Sequence, residues 1–197
     1  VLIKTDFEVP APVDRVWDYL LDVPRMAPNL PGTELTEVID EDNYKGRVTI
    51  KMGPVSMRFA GDVAIVERDA ANRRAVINAA GADERGRGQA AMVLTATLVK
   101  AGSGTKVDIA QDLQISGAAA QYGRGMITDV TNVLVQQFSR NAAEDIPRWL
   151  RGEERAAGPA TSASGLSIGV SAAMAALKRV FWRFFGSNAR RRAAMGG

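Results

Sequence analysis

From Thr33 to Ser116 the chain reads as six strand-like segments broken only by short turn-forming spacers, a pattern that leaves few folds open. The segments are ELTEVI, YKGRVTIKM, VSMRFAGDVAIVE, RRAVINAA, GQAAMVLTATLV and GTKVDIAQDLQI, and DEDN, MGPV, DAANR, GADERGRG and AGSG separate them. Gly, Asn, Asp and Pro supply the backbone angles and local hydrogen bonds that tight turns need. Six consecutive strands so spaced form an antiparallel meander. The opening VLIKTDFEV alternates as a strand before Pro10 and Pro12 and is predicted to pair with it as a seventh.

A curved sheet needs a cover for its apolar face. Val13, Val16, Trp17, Leu20 and Leu21 recur at helical spacing after Pro12, whereas PRMAPNLPG has room for only a short second turn, so two short helices in a bend are expected. The main cover is the run from Gly117 to Leu150. At 100° per residue, Tyr122, Met126, Ile127, Val130, Val133, Leu134, Gln137, Phe138 and Asn141 share one face, and Gln121, Arg124, Asp129 and Gln136 lie opposite. The predicted class is α+β, a seven-stranded curved antiparallel sheet wrapped around a long C-terminal helix. This domain is read as residues 1–151. Residues 152–167, GEERAAGPATSASGLS, are small and polar and read as a flexible linker spanning roughly 20–24 Å.

Several chemistries are disfavoured at this level. The chain has no cysteine and no histidine, so thiol nucleophiles, disulfides, thiolate metal sites and histidine general bases are absent. The G-x-G of GADERGRGQ joins two strands rather than a strand and a helix, so the dinucleotide-binding reading fails; a mobile lip at a cavity mouth is expected there instead. DEDN reads as a solvated turn rather than a calcium loop. No inward pair of carboxylates is evident, and neither catalytic residues nor a metal are expected. No segment reads as a signal peptide or a membrane span.

Net charge is +3, yet residues 168–197 hold six basic residues and no acid, while the first 167 carry 19 basic against 22 acidic. The basic character is local, which argues against nucleic acid as a partner of the folded domain. In residues 168–197, Val170, Ala173, Met174, Leu177, Val180, Phe181, Phe184 and Phe185 fall within an arc of about 140°, with Arg179 and Arg183 opposite and Lys178 and Trp182 at the borders. Arg190, Arg191 and Arg192 follow. Aromatic and basic residues so arranged suit a membrane headgroup boundary, and each arginine near an anionic leaflet contributes about 1 kcal/mol.

Alternation puts Val48 and Ile50 on one face of their strand, and Met57, Phe59 and Val63 on one face of the next. Spacing alone favours a filled core over a cavity. Gly61, Ala79 or Ala80, Ala96 and Ala119 are small inward candidates. Asn78, Gln111, Tyr122, Gln137 and Asn141 would cost about 1–3 kcal/mol each if buried without a partner.

Three stretches identify a relationship: PVDRVWDYLLDVPRMAPNLPG, GRVTIKMGPVSMRFAGDVAIVERDAANRRAVINAAG, and the helix ending ITDVTNVLVQQFSRN. Together, over about residues 1–150, they resemble the CoxG family, the G subunit of carbon monoxide dehydrogenase, within the START-like, SRPBCC superfamily of helix-grip proteins. The most specific signals are NLPG and the IKMGPVSMRFAGDV hairpin, with no role assigned to Asn29. The resemblance implies an apolar cavity between sheet and helix, quinone binding, and recruitment of an aerobic carbon monoxide dehydrogenase to the membrane. The expected lining is then Val48, Ile50, Met57, Phe59 and Val63, with Asn78, Met92, Leu94 and Gln111 from later strands. Tyr122, Met126, Val130, Val133 and Gln137 complete it from the helix. Menaquinone is the expected ligand, suggested by an Ala- and Arg-rich composition. Leu177, Lys178, Arg179, Phe181, Trp182, Arg183, Phe184, Phe185 and Arg190 to Arg192 are the expected membrane contacts. The expected location is peripheral, on the anionic cytoplasmic face of the cell membrane. A structural adaptor with no lipid cargo is the alternative.

Overall fold

The computed structural model describes residues 1–153, and the expected linker beyond that point and the basic segment 168–197 lie outside the described residues. Strand β1 (Leu2–Val9) leads into α1 (Val13–Leu21), α2 (Val23–Met26) and a 3-10 turn (Ala27–Asn29). Six strands follow: β2 (Thr33–Val38), β3 (Asn43–Met52), β4 (Val55–Asp69), β5 (Arg74–Asp83), β6 (Gly88–Ala101) and β7 (Gly104–Gly117). A second 3-10 turn (Ala118–Gln121) then enters α3 (Arg124–Leu150). All pairings are antiparallel, in the order β1-β7-β6-β5-β4-β3-β2. The meander and its seventh strand are therefore as the turn chemistry predicts.

The helix packs along β1 and the first 3-10 turn through its C-terminal half. Val135, Phe138, Ala142 and Ile146 are buried in one cluster with Phe7, Val9, Trp17, Leu98 and Val107, where Phe7 and Phe138 meet edge to face at 5.7 Å. This face is displaced from the expected one by about 100°, one residue of helix. Met126 and Val133, expected inside, are 44% and 53% exposed. The N-terminal half of α3 carries two overlapping apolar stripes, and the packing of Phe138, Ala142 and Ile146 selects the one containing Ile127.

Pairing places Gly46 opposite Gly61 and Gly61 opposite Gly81, so one row of the concave face carries no side chain on three adjacent strands. A Cβ at Gly61 would stand 1.9 Å from the Ala80 carbonyl oxygen and 2.6 Å from the Gly81 Cα. Backbone, which cannot swing aside, makes the obstruction. Gly61→Ala is expected to lower the urea midpoint by an overpacking cost of about 1–3 kcal/mol. Gly125→Ala, with no atom within 4 Å of the added methyl, should be neutral or stabilising.

Candidate functional site

Register and alternation define the concave face row by row. Tyr44, Val63, Ala79, Met92 and Leu113 form one row; Gly46, Gly61, Gly81, Ala90 and Ile115 form the next toward the β3–β4 and β5–β6 hairpins. Ile65, Ile77, Leu94, Gln111 and Ile3 form the row on the other side. The apolar core is not continuous beneath α3. A base cluster gathers Phe7, Trp17, Leu98 and Phe138, a side cluster Val23, Ala27, Tyr44 and Ile65, and a tip cluster Met52, Met57, Phe59 and Ala119. The helix touches both ends, through Phe138 at the base and Val130 at the tip. Between them, Met92 and Leu113 are half-buried and belong to none of the three clusters. Inward side chains that remain half-exposed beside a row of glycines are packed less tightly than the three clusters around them.

Most of the expected lining meets here. Val48, Ile50, Met57 and Phe59 gather at the tip with Tyr122 and Val130, Val63 borders the side cluster, and Met92 and Leu94 lie in the central rows. Gln111, only 6% exposed, faces inward opposite Leu94, and its amide makes no hydrogen bond among the described residues. The residue is buried, but its amide atoms are not among the polar atoms closed off from solvent without a partner, so they are free to meet a polar group on a ligand.

Three expectations are corrected. Asn78 pairs with Ala64 and Val93 on the convex face, since its neighbours Ile77 and Ala79 take the concave one. Met126 and Val133 project to solvent because of the rotated helix face. Gln137 is half-buried and lies within about 20° of Val130 around α3, on the side of the helix where it was expected.

At the base, a polar knot ties the N-terminal helices to the end of α3. Arg25 donates through Nε and Nη2 to Asp145 at 2.8 and 2.6 Å, and their side chains are 11% and 8% exposed. Tyr19 donates its hydroxyl to Asp145 Oδ2 at 2.9 Å, and Asn29 Nδ2 donates to the same oxygen at 3.1 Å and to the Tyr19 hydroxyl oxygen. Asn141 Nδ2 reaches the Asn29 carbonyl at 2.8 Å. Burial pushes the Asp145 carboxyl up, but the hydrogen bonds from Arg25, Tyr19 and Asn29 and the Arg25 charge outweigh it and hold the group below the usual carboxylate range. Asn29, given no role from sequence, thus closes the bend between the two short helices and α3. Tyr19, Arg25 and Asp145 were not singled out at all, although a carboxylate on the stripe that buries Ala142 and Ile146 is the signal that could have found them.

At the tip, Asp83 receives Arg87 at 2.8 and 2.9 Å and the backbone N–H groups of Arg58, Arg85 and Arg87. The Arg87 side-chain bonds, opposed by desolvation and reinforced by the backbone donors, hold its carboxyl far below the usual range. The hairpin expected to be a mobile lip is therefore fastened at its base. Among the described residues no cluster of three acidic side chains could hold a metal ion, and no helix is long and apolar enough to cross a membrane.

Solved structures share this architecture. The chain is similar to a conserved protein from Geobacillus kaustophilus, at 19% identity and a TM-score of 0.67, covering 75% of this chain and 96% of that one. It is also similar to TTHA0849 from Thermus thermophilus (18% identity, TM-score 0.56, 76% and 99% covered). The third is Ara h 8.0201 (14% identity, TM-score 0.51, 75% and 97% covered). At these identities the likeness concerns the fold, a helix-grip fold of the START-like, SRPBCC kind. A search of curated protein sequences finds no match. The model of the CoxG family, the G subunit of carbon monoxide dehydrogenase, matches residues 6–147, nearly the whole of the folded domain, and the chain belongs to that family.

Proposed function

We propose that this domain is a non-catalytic carrier of an isoprenoid quinone of the menaquinone type, working beside carbon monoxide dehydrogenase at the cytoplasmic face of the membrane. The observation that supports this reading is the discontinuous core: the row Gly46, Gly61 and Gly81, half-buried Met92 and Leu113 outside all three clusters, and inward-facing Gln111 without a side-chain hydrogen bond among the described residues. Apolar walls suit an isoprenoid tail, since each buried methylene contributes about 0.8 kcal/mol. Gln111 suits a carbonyl on the ring. This chain would supply binding and exclusion of water, while the redox chemistry belongs to the quinone and the dehydrogenase. CoxG family membership implies association with that enzyme, and the basic, aromatic segment 168–197 suits attachment to anionic lipid.

Replacing Gln111 by Leu tests the polar half of this reading. A neutral hydrogen bond contributes roughly 0.5–1.5 kcal/mol, so a short-chain naphthoquinone should bind about three- to tenfold more weakly, as read by tryptophan quenching. Folding stability should be essentially unchanged, because no hydrogen bond within the described residues is removed. Unaltered affinity would detach Gln111 from the ligand. Removing residues 168–197 should leave the domain folded and lower its partition onto anionic vesicles at least tenfold, by flotation.

A further inference from the structure

The described domain is electrically lopsided. Residues 1–153 carry 18 basic and 21 acidic side chains. At the tip, the segments 49–58, 83–88 and 117–126 hold five basic and two acidic residues, a net of +3. The remainder holds 13 basic against 19 acidic, a net of −6. The three segments are neighbours in space. Arg87 donates to the Ser56 carbonyl at 2.9 Å, Ala118 N–H donates to the Arg87 carbonyl at 2.6 Å, and Tyr122 packs on the tip cluster with Val55 and Ala119.

Two tip cations are neutralised internally, Arg87 by Asp83 and Arg58 by Glu34 and Glu84. Lys51, Arg85 and Arg124 are exposed and make no ion pair among the described residues. Between the hairpins lies an open cleft of about 600 Å³ whose wall carries Arg58, Arg85 and Arg87 against one acid, Glu84, with Pro54 and Val55 beside them. Exposed Pro54 lies in the same cleft wall, and Met126, in the first turn of α3, is 44% exposed.

We propose that this tip, formed by the β3–β4 and β5–β6 hairpins and the first turn of α3, is a second membrane-contacting surface that presents the domain end-on to an anionic bilayer. Positive charge at one end of an otherwise acidic domain gives an orienting torque toward a negative surface as well as an attraction. Pro54 and Val55 in the cleft wall among these arginines, with exposed Met126 on the first turn of α3, favour a lipid boundary, where charge meets apolar tails, over an acidic protein, which offers charge alone. Orientation follows. The tip cluster that closes one end of the chamber would face the lipid, so an apolar molecule would cross little water between the two. This reading concerns residues 1–153 and holds whatever the chamber carries.

The full chain, which has no cysteine, accepts a single environment-sensitive dye through Met126→Cys at the tip or Val99→Cys near the opposite end of β6. With vesicles of phosphatidylcholine and phosphatidylglycerol, emission from position 126 should shift to the blue and emission from position 99 should not. The shift should weaken with salt and be absent with phosphatidylcholine alone. Combining Lys51→Glu, Arg85→Glu and Arg124→Glu, all surface changes, should leave the circular dichroism intact and raise the vesicle concentration needed for the position-126 shift at least tenfold. No shift at position 126, equal shifts at both positions, or a triple variant with unchanged response would each overturn the proposal. A position-126 response to polyglutamate but not to vesicles would also overturn it, assigning the tip to an acidic protein.

Discussion

Asp145→Ala is expected to cost about 3–5 kcal/mol of folding stability, a large share of the roughly 5–15 kcal/mol that a domain of this size holds. The change leaves the Arg25 guanidinium almost wholly buried with its two charge-assisted bonds removed, and strips Tyr19 and Asn29 of their shared acceptor. A denaturant midpoint at constant slope measures it. If the pair behaved as a surface ion pair, the loss would stay below about 1 kcal/mol. Replacing both partners, Arg25→Met with Asp145→Leu, should recover most of the loss, because the expense lies in an uncompensated charge rather than in the absence of a bond. The pH dependence has a definite sign. The carboxyl is held below its ordinary value in the folded state. Its contribution is thus complete above the unfolded pKa, about 3.9, and is lost as pH falls through the lower folded value. Wild-type stability should fall in that acid window, and Asp145→Ala should show a shallower fall, what remains coming from Asp83 and from the exposed carboxylates Asp40, Asp69 and Glu153, all held below their ordinary values.

Ala79→Phe separates a chamber from a filled core. Ala79 lies in the central row, between Val63 and Met92, facing the gap under α3. In a close-packed interior the added ring would overpack, costing about 1–3 kcal/mol with no effect on any cargo. In a chamber the ring occupies space a ligand needs. The expected result is a thermal midpoint within a few degrees of wild type and a tenfold or greater loss of bound quinone. Val133→Phe is the matched control, because Val133 is 53% exposed on α3, and it should leave cargo unchanged.

How far the chain could be read before its structure differs from element to element. The meander was legible because DEDN, MGPV, DAANR, GADERGRG and AGSG are turn chemistry that dictates local pairing. Gly46, Gly61 and Gly81 were visible as residues but not as a row, since their alignment depends on hairpin register and on where the irregularity between Ile65 and Glu67 falls. Asn78 was misplaced because RAVINAAG is apolar on both faces, with Val76 and Ala80 buried alongside Ala75, so alternation gives no parity. The α3 face was misjudged for a similar reason. Met126, Val130 and Val133 form a stripe as regular as the one containing Ile127, Val135 and Phe138, and only contact with β1 chooses between them. The base knot joins Arg25 and Asn29 to Asp145 across more than a hundred residues, a separation that no local pattern spans.

If the gap beneath α3 holds an apolar, ring-bearing molecule, that molecule should travel with the protein. The most direct measurement is mass spectrometry of lipids extracted from the full-length protein purified without detergent from a quinone-containing cell, quantified against protein. Near-stoichiometric isoprenoid quinone, lost in Ala79→Phe and retained in Val133→Phe, is the expected result. Folded protein free of quinone and of any other apolar cargo would contradict the carrier reading and leave a structural adaptor in its place.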